Sequence, residues 1–176
     1  MNDWRLKLKG TEDNYDWFNS IQVYKAFSDN NLSINDTIDI NVRLMFIITY
    51  CLLEGNFSEK ENEYGEKILK KIFKESYKKF SNNSDYLFCI SVVTKLNEYA
   101  FDLNVKEPEV FINKAIVLNP NINLYKYWLS RLEKQVDFDE EYLYSNFIND
   151  WREKKGLLGK YIVDSLRKKN KNKKSM

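Results

Sequence analysis

The sequence predicts an all-α protein, and three observations carry that expectation. Apolar residues recur at three- and four-residue steps through most of the chain, the spacing of one helix face. Only 5 Gly and 2 Pro interrupt the 176 residues, too few for the many turns of a sandwich or barrel. Hydrophobic residues make up 43% and aromatics 15%, which supplies a core and excludes disorder over most of the length. A chain of this size is expected to form one domain, burying roughly 70% of the surface that its unfolded form exposes.

The elements follow in order. Residues 1–10 alternate Trp4, Leu6 and Leu8 with Arg5, Lys7 and Lys9. That strand-like period has no partner strand, so an extended arm packing Trp4 on the helices is expected. A first helix is placed at 14–29, where Trp17, Phe18, Ile21, Tyr24 and Phe27 share a face. Ser33 with Asp36 reads as an N-cap. The helix at 35–54 is apolar nearly all round in its second half, which marks it as central, and Gly55 ends it. Ser58 and Glu61 form a capping-box pattern. The helix at 59–80 carries a stripe from Tyr64 to Phe80 opposite a mixture of Glu and Lys that reads as a solvated face.

Ser81-Asn82-Asn83-Ser84 is a turn, and a fourth helix is placed at 85–103. Pro108 suits the first turn of a fifth helix, which ends near Leu118 because Pro120 disfavours α conformation at Asn119. A sixth helix is placed at 121–135. Asp137 and Glu140 repeat the capping spacing before a seventh at 137–154. Gly156 and Gly159 break the chain ahead of a last helix at 160–168. The expected organisation is one helical domain over 1–168 and a disordered basic tail over 169–176, with antiparallel helix pairs forming an irregular bundle or a short solenoid of seven to eight helices.

The chain has no histidine. That removes Ser-His-Asp and Cys-His nucleophile systems and His-ligated zinc. No carboxylate or lysine motif replaces them, so no enzyme, metal or cofactor is expected. Cys51 and Cys89 sit among apolar neighbours and read as small core hydrophobes in a reducing compartment. The first residues lack the apolar core of a secretory signal. The most apolar stretch, 44–53, is about half of the ~20 residues that a bilayer requires. A cytoplasmic protein that does not enter the membrane is expected.

Residues 88–150 resemble tetratricopeptide-type helix–turn–helix units. Asn113-Lys114-Ala115-Ile116-Val117-Leu118-Asn119-Pro120-Asn121 is similar to the end of such a repeat, where a small residue lets two helices approach and a proline closes the unit. Trp128-Leu129, Leu132-Glu133 and Val136-Asp137-Phe138-Asp139-Glu140 are similar to the first helix and turn of the next. Tyr142 stands where the family has alanine, and Lys95 and Leu96 where it has leucine and glycine. The resemblance implies stacked helix pairs, which leaves the bundle and the solenoid both open.

The overall charge of +2 conceals an asymmetry: residues 1–151 carry a net −6 and residues 152–176 a net +8. The basic end is short and lacks interleaved aromatics. It also follows an acidic body, so a solvated terminus is expected there rather than an RNA site. The acidic stretch 137–151 mixes carboxylates with aromatics. Asp137, Asp139, Glu140, Glu141, Tyr144 and Asp150 are the candidate partner-binding residues, because aromatic anchors dominate interface energy and charge steers encounter. In general character the chain is helical, acidic in the body, free of catalytic motifs and rich in Asn, Lys, Ile and aromatics. It thereby resembles the small immunity proteins of bacterial contact-dependent inhibition and polymorphic-toxin systems. That resemblance implies a protein that neutralises a cognate toxin, most simply a nuclease, by covering a basic functional surface. The alternative is a helical-repeat scaffold that binds a peptide or protein partner.

Overall fold

The computed structural model describes residues 3–28, 32–133 and 155–173. In chain order these form α1 (Trp4–Asp13), α2 (Trp17–Ser28), α3 (Ile34–Glu54), α4 (Glu59–Phe80), α5 (Ser84–Leu96), a 3-10 turn (Tyr99–Phe101), α6 (Glu107–Leu118), α7 (Asn123–Leu132) and α8 (Gly156–Lys173). The chain is all-α, and no strand occurs among the described residues. Nor, among them, is any helix long and apolar enough to cross a membrane.

The central helix lies where its composition places it. Every residue of α3 from 38 to 49 is buried, and α2, α4, α5 and α8 all pack on it. Ser33 caps its start by accepting from the Asp36 N–H. The capping box of Ser58 and Glu61 forms as its sequence pattern predicts, and α4 runs over the expected 59–80. Pro108 occupies the first turn of α6. Cys51 and Cys89 are free and buried. Burial pushes their thiols up to about 11 and about 12, so neither is ionised near neutral pH and both act as packing groups.

Three local expectations are corrected. The N-terminal segment is a helix, not an extended arm. Trp4, Leu8 and Glu12 point inward at four-residue steps, whereas Leu6 faces solvent. Periods of two and four coincide at positions 4 and 8. The third member of the inward row is a carboxylate, which an apolar count passes over. The fourth helix stops at Leu96. Asn97 then accepts from the Ala100 N–H and starts the 3-10 turn, which swings Phe101 against Phe73 with ring centroids 5.6 Å apart. The last helix spans Gly156–Lys173, so residues 169–173, expected as tail, are helical. Gly159 lies within this helix instead of breaking it. The helix expected at 137–154 falls outside the described residues.

An open solenoid lets each unit touch only its sequence neighbours. Here α3 meets α5 and α8, and α1 meets α8, so the described helices form an irregular bundle around α3. Within it α5, α6 and α7 stack in sequence order, and Ala115 is fully buried on α6.

Buried ion pairs join the two chain ends to α3. Arg43 Nε and Nη2 donate to Glu12 Oε1 and Oε2 at 2.8 and 2.6 Å. The Leu157 N–H donates to the same Oε2 at 3.2 Å. Lys155 pairs with Asp39, and at the surface Arg5 pairs with Asp36. Gly156 adopts φ +54°, and a Cβ there would overlap the Glu12 carboxylate and lie 2.7 Å from Arg43 Cζ.

Two stability predictions follow from this packing. Phe46→Ala, in the middle of α3, is expected to cost about 3–4 kcal/mol, a large share of a typical 5–15 kcal/mol total. Gly156→Ala combines a left-handed backbone with overpacking against an ion pair and is expected to cost about 2–5 kcal/mol. Urea unfolding measures both. A loss below about 1 kcal/mol would make α3 peripheral in the first case, and the start of α8 compliant in the second.

Candidate functional site

The link between α1 and α2 is built around an unusual residue. The Tyr15 N–H donates to Glu12 O and the Asp16 N–H to Thr11 O, at 3.1 and 2.9 Å. These are the two hydrogen bonds of a Schellman turn, which ordinarily places glycine in the left-handed position. Here that position is Tyr15, at φ 54°. A bulky side chain there costs about 1–3 kcal/mol. Its carbonyl accepts from Cys51 Sγ at 3.4 Å, and its ring stacks on Tyr50 with centroids 5.7 Å apart. Asp16 then starts α2, its Oδ1 accepting from the Asn19 N–H at 3.0 Å.

This turn meets the C-terminal end of α3 and the start of α4. Phe18 lies parallel to Tyr64 with centroids 6.3 Å apart. Beneath them Trp17 is buried, stacked on Phe18 and edge-to-face with Phe57. Tyr15, Phe18, Leu53 and Tyr64 remain 47, 40, 46 and 38% exposed. Four large apolar groups thus face solvent on a frame held by α1, α2, α3 and α4.

The surface around them is acidic. Residues 13–18 and 50–66 hold Asp13, Asp16, Glu54, Glu59, Glu61, Glu63 and Glu66 against Lys60 alone. Their net −6 equals that of the whole of residues 1–151, so the remainder of that span is neutral overall. Lys9 pairs with Asp13 and Lys70 with Glu66, both at solvent-exposed sites where pairs contribute little. Hydrogen bonds from the Ser58 side chain and backbone hold the Glu61 carboxyl below its ordinary pKa. Burial raises the Tyr50 phenol, with Tyr15 and Glu54 adding to it.

A cavity of about 710 Å³ adjoins this surface and shares Asp13 and Tyr15 with it. Its floor is the Glu12–Arg43 pair, and Arg5, Lys9 and Lys160 line its walls. Among the described residues no group of three or more His, Cys, Asp or Glu could hold a metal ion.

The partner-binding residues expected from the sequence, Asp137, Asp139, Glu140, Glu141, Tyr144 and Asp150, lie outside the described residues. The described residues instead assemble a second acidic and aromatic surface. Its signal was present in Asp13-x-Tyr15-Asp16-Trp17-Phe18, the same interleaving as in 137–151. The motif alone does not specify the surface, because its other half comes from α3 and α4, where the glutamates blend into a Glu/Lys mixture. Comparison of the chain with family models, with curated proteins and with solved structures gives no match.

Tyr15→Gly relieves the left-handed strain while losing the Tyr50 stack and adding backbone freedom, terms of about 0.5–3 kcal/mol with opposing signs. The expected net change in unfolding free energy is within about 1 kcal/mol. Trp17→Ala, two residues away, should cost about 3–5 kcal/mol. Comparable losses in urea unfolding would mean that Tyr15 is a structural anchor and not a displayed side chain.

Proposed function

We propose that the protein acts by binding another protein through the acidic, aromatic end formed by α1–α2, the end of α3 and the start of α4. The observation that carries this reading is the coincidence of four exposed apolar side chains with the net −6 of residues 13–18 and 50–66. Exposed rings on a rigid frame supply anchors. Carboxylates around them speed association with a basic partner and reject acidic ones. A tyrosine kept where glycine is conformationally cheaper is consistent with selection for display.

Within that class, a toxin-neutralising inhibitor is the reading we favour. Nuclease surfaces that hold phosphates are basic, and an acidic inhibitor can cover them at electrostatically enhanced rates. A cytoplasmic inhibitor of this type needs neither cofactor nor catalytic group. The scaffold alternative rests on the stacked run α5–α6–α7, where Val110 and Val117 are exposed on α6.

The test uses a photo-crosslinking residue at Phe18, with the same residue at Val117 as comparison. Capture of one basic protein from Phe18 alone, followed by loss of that protein's nuclease activity at equimolar inhibitor, is the expected result. Glu54→Gln with Glu63→Gln should slow association several-fold and flatten its salt dependence without changing the melting temperature. Capture from Val117 alone would transfer the site to α6 and favour the scaffold. Unchanged association kinetics in the charge variants would exclude the acidic end as the interface.

A further inference from the structure

The Glu/Lys mixture on α4 is sorted along its length. Residues 59–66 hold four glutamates against Lys60, and residues 67–79 hold six lysines against Glu75. The first part belongs to the acidic, aromatic end. The second has no role there.

Lys67, Lys71, Lys74 and Lys78 recur at steps of four, three and four residues, so they form one line on the helix. The line lies opposite the buried Leu69, Ile72 and Ser76 and is about 16 Å long at 1.5 Å per residue. All four lysines are exposed, and none forms an ion pair among the described residues. The nearby carboxylates are taken by Lys70, which stands off the line and reaches Asp102 at 2.9 Å and Glu66 at 3.9 Å. Lys70, with Lys74 adding, holds the Asp102 carboxyl below its ordinary pKa. Glu75 also lies off the line, on the flank towards α2.

Such a line is costly to the helix, because like charges three and four residues apart repel. The helix dipole offsets this only in the last turn, which holds Lys78 and not the other three. Nor does the acidic half screen the far end. Lys74 and Lys78 stand about 12 Å or more along α4 from Glu66, beyond the ~8 Å Debye length at physiological ionic strength. An exposed ring flanks the line. The 3-10 turn packs on α4, with Phe101 buried against Phe73. Tyr99 of the same turn is 77% exposed. The turn is thus anchored while its tyrosine is displayed.

From this arrangement we infer that the second half of α4, with Tyr99, binds a single-stranded nucleic acid. The lysines hold the phosphates and the ring stacks on a base. Every base has a π-face, so the recognition is tolerant of sequence. A duplex, whose bases are already stacked, would use the lysines and leave the ring idle. The site shares no residue with the acidic, aromatic end, so it stands or falls independently of the protein-binding reading.

Fluorescence anisotropy of a labelled dodecauridylate on the full chain tests this. Saturable binding is expected at about 50 mM salt, with a slope of log affinity against log salt of about −3 for four lysines. Lys71→Gln with Lys74→Gln should weaken binding and reduce that slope by about 1.4, with no loss of melting temperature. Tyr99→Ala should weaken binding about fivefold or more at an unchanged slope. No saturation by about 100 µM protein, or an unchanged slope in the lysine variant, overturns the proposal. So does unchanged affinity in Tyr99→Ala. Loss of binding in Lys168→Gln with Lys169→Gln, with none in the α4 variant, would overturn it by moving the site to the basic end of the chain. Displacement of the oligonucleotide by an equal charge of polyglutamate would overturn it by assigning the lysines to an acidic protein.

Discussion

Arg43 stands in the middle of the most buried helix, only 2% exposed. Its guanidinium keeps its charge under all ordinary conditions, and an unpaired buried charge is prohibitively costly. The fold therefore has to deliver a carboxylate to it. Glu12 does so from α1, with two parallel hydrogen bonds, and the Leu157 N–H at the start of α8 completes the coordination of that carboxylate. Trp4 covers the guanidinium, whose Cζ lies 5.6 Å from the ring centroid. Residues 12, 43 and 157 converge here, and Asp39 with Lys155 repeats the arrangement one helical turn away.

This requirement positions the candidate partner surface. Glu12 fixes the last turn of α1, and its carbonyl accepts the Tyr15 N–H of the Schellman turn. The strained Tyr15 backbone is thus tied to a carboxylate that cannot move without leaving the buried Arg43 unpaired. Such pairs stabilise little relative to well-packed apolar groups of the same volume. Their effect lies in penalising alternative packings, since any arrangement that separates them leaves a charge without a partner. A surface whose exposed rings must hold their relative positions benefits from that penalty.

Much of the fold was legible in the sequence because local signals and the hydrophobic pattern agree. The capping box at Ser58, the N-cap at Ser33, the proline at 108 and the all-round apolarity of α3 each specify what forms. The hydrophobic pattern is silent where the inward-facing residue is charged. Glu12, Asp39, Arg43 and Lys155 all count as surface by composition, yet all are buried. The helical period of α1 is hidden for that reason, since Glu12 is the third member of its inward row. The end of α5 was misplaced because Tyr99, Ala100 and Phe101 continue an apolar run while Asn97 redirects the backbone. The acidic, aromatic end was only half legible: its α1–α2 part is a contiguous motif, but its α3 and α4 parts join it through tertiary packing.

A double-mutant cycle on Glu12→Met and Arg43→Met, read by urea unfolding, tests the central role of this pair most directly. Each single substitution should cost about 3–5 kcal/mol by leaving its partner buried and uncompensated. The double variant should cost less than either, giving a coupling energy of about 2 kcal/mol or more. Single losses below about 1 kcal/mol, or additive losses, would contradict the account, because the two charges would then be solvated and α1 and α8 would be held by apolar packing alone.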